Sequence, residues 1–275
     1  MISHLKELYS YRELLLNLVK RELKVKYKRS VFGFLWSFLN PLVLLVVYSI
    51  IFGRLFGMDR GISAGFNGVK SFSAYLLTGL LAWSYLANSL IMAVGSIVDS
   101  GNLIKKIYFP RVIIPFASVF ANLVNFGLEL VVLFIFLSVL GIYFYVQIPF
   151  LIVIILIETL IILGLSALVS LANVYFRDMK HLIQIVIQVW FFACPIIYPY
   201  IFVSKFAASN NLSWLPSVYL LNPMASVTVM YQKVFYFVQM PSFKMLVLWF
   251  SFAVVFFLAS LAIFKAKEDE IASEV

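Results

Sequence analysis

The sequence predicts an all-α integral membrane protein. It has six transmembrane helices, an N-terminal amphipathic interfacial helix, and short re-entrant or gate helices on the outer face between spans 5 and 6. Three observations carry this prediction. Of 275 residues, 64% are hydrophobic and 12% charged, with a mean hydropathy of +1.03; a soluble domain is roughly half apolar and a quarter charged. A soluble globule needs a polar skin, so this much hydrocarbon excludes a soluble enzyme, a disordered chain and a secreted disulfide scaffold. Six apolar stretches also approach the ~20 residues that a helix needs to cross ~30 Å of hydrocarbon. Finally, 21 Lys and Arg against 12 Asp and Glu give a net charge of +9, unevenly shared among the loops.

The chain opens on residues 4–30, where Leu5, Leu8, Leu15, Leu16, Val19 and Leu23 recur at helical intervals among Lys6, Arg12, Lys20, Arg21, Lys24, Lys26, Lys28 and Arg29. That is the pattern of a helix lying in the membrane plane. A cationic run of this kind is held at an anionic leaflet by about 1 kcal/mol per Lys or Arg. Because it abuts a span, nucleic acid is a poor partner for it. No cleavable signal peptide is visible.

The expected spans are 36–56, 72–94, 111–140, 148–173, 182–198 and 243–264. Pro115 is placed to kink the third, and Pro195 and Pro199 to break the fifth. With the N-terminus inside, the cytoplasmic side holds 15 of the 21 basic residues. Both termini are therefore expected in the cytoplasm. Residues 224–240 are apolar but interrupted by Gln232 and Lys233, and a mid-membrane charge costs ~2.5–3.5 kcal/mol on insertion scales. Residues 199–242 therefore read as two short helices on the outer face, interfacial or re-entrant. A seventh span there would instead move the C-terminus outside. Trp36, Trp83, Tyr85, Tyr198, Tyr200, Trp214 and Tyr219 fall at expected interfaces, as belt aromatics do.

Little in the chain suggests catalysis. There is no phosphate-cradling Gly-x-x-x-x-Gly-Lys-Ser/Thr, no His-Glu-x-x-His and no aspartate cluster. The lone Cys194 sits in an apolar run, and His4 and His181 have no companion at metal-ligand spacing. Glu129 and Glu158 fall inside the third and fourth spans. They read as pore-lining or structural acids ahead of a proton relay, with Asn125, Thr159 or Ser166 as hydrogen-bond partners and no basic partner within the spans. Arg177 and Asp178 end the fourth span, where an ion pair would hold two helix ends, or the two would meet a partner.

Four local patterns then stand in order. Tyr11-Arg12-Glu13-Leu14 leads into Lys20-Arg21-Glu22-Leu23-Lys24-Val25-Lys26-Tyr27-Lys28-Arg29-Ser30-Val31-Phe32-Gly33-Phe34-Leu35-Trp36, ending at Asn40-Pro41. Asn102-Leu103-Ile104-Lys105-Lys106-Ile107-Tyr108-Phe109-Pro110-Arg111 follows. Tyr175-Phe176-Arg177-Asp178 comes next, with Pro195-Ile196-Ile197-Tyr198 beyond it, and then Leu221-Asn222-Pro223-Met224. In this order and spacing they resemble the permease subunit of ABC-2 exporters of lipid-linked polysaccharides, the O-antigen and teichoic acid type. The likeness spans all but residues 57–71 and the acidic tail.

The resemblance implies a homodimer in the bacterial inner membrane. It also implies two copies of a separate ABC ATPase subunit, which would bind ATP and Mg; this chain would hold no cofactor, metal or catalytic residue. The substrate would be a polysaccharide on a polyprenyl pyrophosphate lipid. The loop 99–111 would be the ATPase-coupling element, through Leu103, Ile104, Lys105, Lys106, Tyr108 and Phe109. Pro195, Tyr198, Pro199, Asn222 and Pro223 would belong to outer gate helices. Lys24, Lys26, Lys28 and Arg29 would offer the pyrophosphate a cationic face. A drug or small-lipid exporter shares the fold, and an ion-coupled transporter is the remaining alternative.

Overall fold

A computed structural model describes residues 9–28, 30, 35–57, 62, 65–268 and 270–271. Among them are four helices long and apolar enough to cross a membrane. In the order of the chain the helices are α1 (Arg12–Tyr27), α2 (Trp36–Tyr48), α3 (Phe72–Asp99), α4 (Gly101–Ile104), α5 (Ile113–Val139), α6 (Ile148–Tyr175), α7 (Met179–Phe192), α8 (Tyr200–Ser209), α9 (Leu215–Tyr219), α10 (Pro223–Phe235) and α11 (Phe243–Lys267). The long ones are α3, α5, α6 with its leading turn from Tyr145, and α11. They coincide with expected spans two, three, four and six.

Spans one and five correspond to shorter apolar helices. α2 carries Pro41 inside it and passes into a π-helix over Ser49–Leu55. α7 has 14 residues, about 21 Å at 1.5 Å per residue, which is less than the ~30 Å hydrocarbon core. It stops where Pro195 and Pro199 prevent continuation, so the expected break is present.

α3 is the centre of the fold. Ser71 caps its start, its hydroxyl accepting the Ala74 N–H at 3.3 Å. It packs on α5, α6, α7 and α10, and most of its side chains are buried. Two glycines allow close helix approach, as small residues do in membranes. A Cβ on Gly79 would stand 3.0 Å from Thr228 Cγ2 of α10, and one on Gly164 of α6 would stand 2.8 Å from Phe256 Cε1 of α11. α11 packs on α6, yet presents Phe243, Val247, Leu248, Phe252 and Val255 outward. Such a bare apolar face suits lipid or another helix as its neighbour.

Three expectations need correction. α1 does present an apolar seam, packed on α5, but its members are Leu14, Leu15, Leu18, Val19 and Leu23. Leu16 points away and is 56% exposed, because positions 11, 14, 15 and 18 share one face of a 3.6-residue period. Leu5 and Leu8 lie outside the described residues.

The outer region holds three short helices, and α10 is no surface element. Wedged against α3 and α6, it buries 11 of its 13 residues inside the helix packing. Trp83 and Tyr85 are core residues, 5% and 2% exposed, and not members of an interfacial belt. Trp83 meets Trp190 edge-on at 5.8 Å, and Tyr85 stacks on Phe126 at 5.0 Å. An aromatic ring suits a belt and a helix–helix core equally, and only its rotation about the helix separates the two. Trp36 and Trp214 do stay exposed.

Candidate functional site

The loop between α3 and α5 is partly exposed. α4 gives it a single turn and Pro110 ends it. Its six expected contact residues split into two sets. Lys105, Lys106 and Tyr108 face outward, Tyr108 at 83% exposure, with Leu103 half-buried between. Ile104 and Phe109 are instead buried in the core, 7% and 4% exposed, and are not available to a partner. The helical period stops at Ile104, so Phe109 reaches back under the chain through the turn before Pro110. Ile107, which that list omitted, is 53% exposed and completes a crest of Lys105-Lys106-Ile107-Tyr108.

Beside the start of this loop lies the cationic face of α1. Asn17, Lys20, Arg21, Lys24, Val25 and Lys28 line an open groove. Lys20, Lys24 and Lys28 follow the i, i+4, i+8 stripe of one helix face. Arg21 donates to Glu22 at 2.8 Å and lies 3.5 Å from the Ser100 hydroxyl at the end of α3. The expected set is thus divided. Lys24 and Lys28 are in the groove together with Lys20 and Arg21. Lys26 departs from it and interacts electrostatically with Glu129 of α5; surrounding protein holds its pKa below the usual lysine value while Glu129 opposes that shift. Arg29 lies outside the described residues. Glu129 therefore interacts electrostatically with a lysine of α1, a helix outside the expected spans.

Glu158 is fully buried, and the Tyr231 hydroxyl donates to its Oε2 at 2.6 Å. Neighbouring Thr159 shares a 3.2 Å hydrogen bond with Tyr85. Phe126 meets Tyr231 edge-on at 6.2 Å, enclosing the acid in aromatic rings. Glu158 accordingly ties α6 to the buried α10. The partners expected from sequence are otherwise engaged: Thr159 with Tyr85, and Ser166 with the Leu163 carbonyl at 2.8 Å. Tyr231 was missed because its segment had been read as an outer-face helix.

The expected gate residues do gather around α10. Asn222 caps it, Oδ1 accepting the N–H of Met224 and Ala225, with Pro223 in the first turn. The same oxygen accepts the Trp190 indole N–H at 2.9 Å, and Asn222 Nδ2 donates to the Ala193 carbonyl at 3.0 Å. The Pro195 carbonyl accepts Gln232 Nε2 at 2.7 Å, and Tyr75 donates to Gln232 Oε1 at 2.8 Å. Tyr198 and Tyr219 hydroxyls are 2.9 Å apart. Pro199 is buried where α8 begins. A cavity of about 390 Å³ opens beside this network, lined by Tyr75, Tyr200, Gln232, Lys233, Phe237 and Gln239 among others.

Arg177 and Asp178 occupy the exposed turn between α6 and α7. Among the described residues no salt bridge joins these two side chains. Asp178 instead starts α7, its backbone carbonyl accepting from His181 at 2.9 Å and Leu182 at 3.1 Å. Cys194 is buried, and no metal-competent group of His, Cys, Asp and Glu occurs among the described residues.

Known proteins resemble this chain in sequence along its length. An O-antigen export system permease protein RfbA of Myxococcus xanthus is 31% identical over 275 residues, covering all of both chains. A protein of the same name from Klebsiella pneumoniae is 30% identical over 224 residues, 81% of this chain and 80% of the relative. A second from that organism is 28% identical over the same length. Residues 13–236, from α1 through the end of α10, match the ABC-2 type transporter family. The chain belongs to that family and is a multi-pass membrane permease that works with an ATPase partner.

Proposed function

We propose that this chain is the transmembrane subunit of an ATP-driven exporter of an O-antigen-type polysaccharide carried on a polyprenyl pyrophosphate lipid. The observation that carries the reading is the end-to-end likeness to the Myxococcus permease. Two copies of the chain would form the path in the bacterial inner membrane, both termini in the cytoplasm, each copy served by one ATPase subunit that binds ATP and Mg. The outward apolar side chains of α2 and α7, such as Val43, Val46, Ile185 and Val189, offer surface for lipid or for the second copy.

The crest Lys105–Tyr108 would seat against the ATPase. The groove of Lys20, Arg21, Lys24 and Lys28 would meet the pyrophosphate, since several cations on one helix stripe suit a multiply charged anion. Outward of α10, the gate residues would part to release polymer. Deletion of the gene should leave the lipid-linked glycan inside the cell and remove it from the surface, and a plasmid copy should restore display. Reversing Lys20, Lys24 and Lys28 to Glu should abolish substrate-stimulated ATP hydrolysis by the complex and spare its basal rate. Unchanged stimulation would remove the pyrophosphate assignment.

A further inference from the structure

The residues that follow α11 belong to the acidic tail of the sequence. In the fold they are fastened to two other helices. Glu268 Oε1 accepts the backbone N–H of Arg111 at 2.5 Å, and the Arg111 guanidinium donates to the Glu268 carbonyl. Two residues on, Glu270 Oε2 accepts the Tyr175 hydroxyl at 2.7 Å, and Glu270 Oε1 takes the Lys267 ammonium at 2.8 Å. Ile271 is fully buried in the core. One short segment thus joins the C-terminal end of α11 to the start of α5 and the end of α6.

Arg111 is the last residue of the loop that carries the exposed crest. Pro110 before it has no N–H, and the Arg111 N–H precedes the first helical turn and finds no acceptor within α5. An acceptor from elsewhere must hold this joint, and a carboxylate is the favoured kind at a helix start. Without it, the loop between Lys105 and Arg111 would be retained by the buried Ile104 and Phe109 side chains and a few local backbone bonds.

We propose that Glu268 is a positioning residue for the coupling loop. By clamping Arg111 it joins the start of α5 to the end of α11, which Glu270 in turn ties to the end of α6, so that force on the crest moves the helices instead of bending the loop at Pro110. The proposal rests on the reading of residues 99–111 as the seat of the ATPase.

The test uses the full chain with its ATPase subunit, comparing Glu268→Ala, Glu268→Gln and Tyr108→Ala. Surface polysaccharide in a deletion strain, ATP hydrolysis by the purified complex, and hydrogen exchange of the Arg111 amide are measured. Glu268→Ala should speed exchange at Arg111 about tenfold, as expected for losing one charge-assisted hydrogen bond. It should also lower export per ATP by a similar factor while assembly and basal hydrolysis stay near wild type. Glu268→Gln, which keeps an acceptor oxygen, should recover much of both.

Uncoupling by Tyr108→Ala but not by Glu268→Ala overturns the clamp alone. Normal coupling in both variants overturns the reading of the loop, and the clamp with it. Loss of assembly, hydrolysis and export together in Glu268→Ala, with no recovery in Glu268→Gln, reduces Glu268 to a stability residue and overturns the proposal. Unchanged exchange at Arg111 does so as well.

Discussion

Replacing Tyr231 with Phe removes one oxygen atom from the middle of the protein and almost nothing else. The ring can stay where it is, edge-on to Phe126 at 6.2 Å and stacked on Phe235 at 6.1 Å. What is lost is the 2.6 Å hydrogen bond to Glu158, a residue with no solvent exposure whose other oxygen, Oε1, has no hydrogen-bond partner. After the change the carboxyl is buried without a donor, and leaving a buried polar group unsatisfied costs roughly 1–3 kcal/mol. Glu158→Gln keeps a carbonyl for Tyr231 and should cost less than Tyr231→Phe. The double variant should cost less than the sum of the two singles, because the second substitution removes an interaction already lost. Unfolding titrations in mixed micelles, followed by tryptophan fluorescence, would measure these differences. Tyr231→Phe within about 0.5 kcal/mol of wild type, the range of an inconsequential substitution, would refute the claim that this bond anchors α10 to α6.

Further expectations concern the surface and the helix contacts. Tyr108→Ala should change stability by no more than about 0.5 kcal/mol and reduce export, whereas Phe109→Ala, at a buried position, should destabilise by roughly 3–5 kcal/mol; thermal stability and surface polysaccharide measured together separate the two. Gly164→Ala forces a methyl toward Phe256, 2.8 Å away in the ungiving geometry, and should cost about 1–3 kcal/mol by overpacking, read from the same titrations. Hydrogen bonds from Lys267 and Tyr175 hold the Glu270 pKa below its ordinary 4.5. A depressed carboxylate stabilises above its unfolded pKa, and that contribution is lost as pH falls through the folded one. The protection factor of amides near Tyr175, with the intrinsic pH dependence of exchange divided out, should therefore fall below that range and stay level between pH 6 and 8.

The parts of the fold that were legible are those that a lipid solvent dictates residue by residue. A helix with water on neither side needs an unbroken apolar run, so α3, α5, α6 and α11 stand out in composition alone. α10 did not, because its polar residues answer to protein and not to water. Gln232, which breaks the apolar run, is 2% exposed and is satisfied by Tyr75 and the Pro195 carbonyl. No local pattern distinguishes that amide from one facing solvent. The Tyr231–Glu158 bond was hidden for the same reason, since its partners stand 73 positions apart. A finer reading of the basic stripe was available: the i, i+4, i+8 spacing of Lys20, Lys24 and Lys28 already sets Lys26 on another face.

The polar contacts at the two ends of the loop between α3 and α5 also form a pattern. At its start Arg21 of α1 approaches Ser100, and at its finish Glu268 beyond α11 holds Arg111. Between these anchors the side chains of Ile104 and Phe109 are sunk in the core, and the four-residue crest stands out. The loop is therefore held from both extremities of the chain as well as from below. Compliance and transmission compete in such an element: a loop free to bend absorbs a push, whereas one fixed at both ends must pass it to α3 and α5. α5 meets α1 along its seam, and both α3 and α5 pack on α6, which carries Glu158 to the buried α10. A displacement applied at the crest thus has a continuous packed route to the cluster around Pro195 and Asn222. Its weakest joints are the long, half-buried Arg21–Ser100 approach and the single carboxylate at Arg111, so substitutions there should affect coupling before they affect folding.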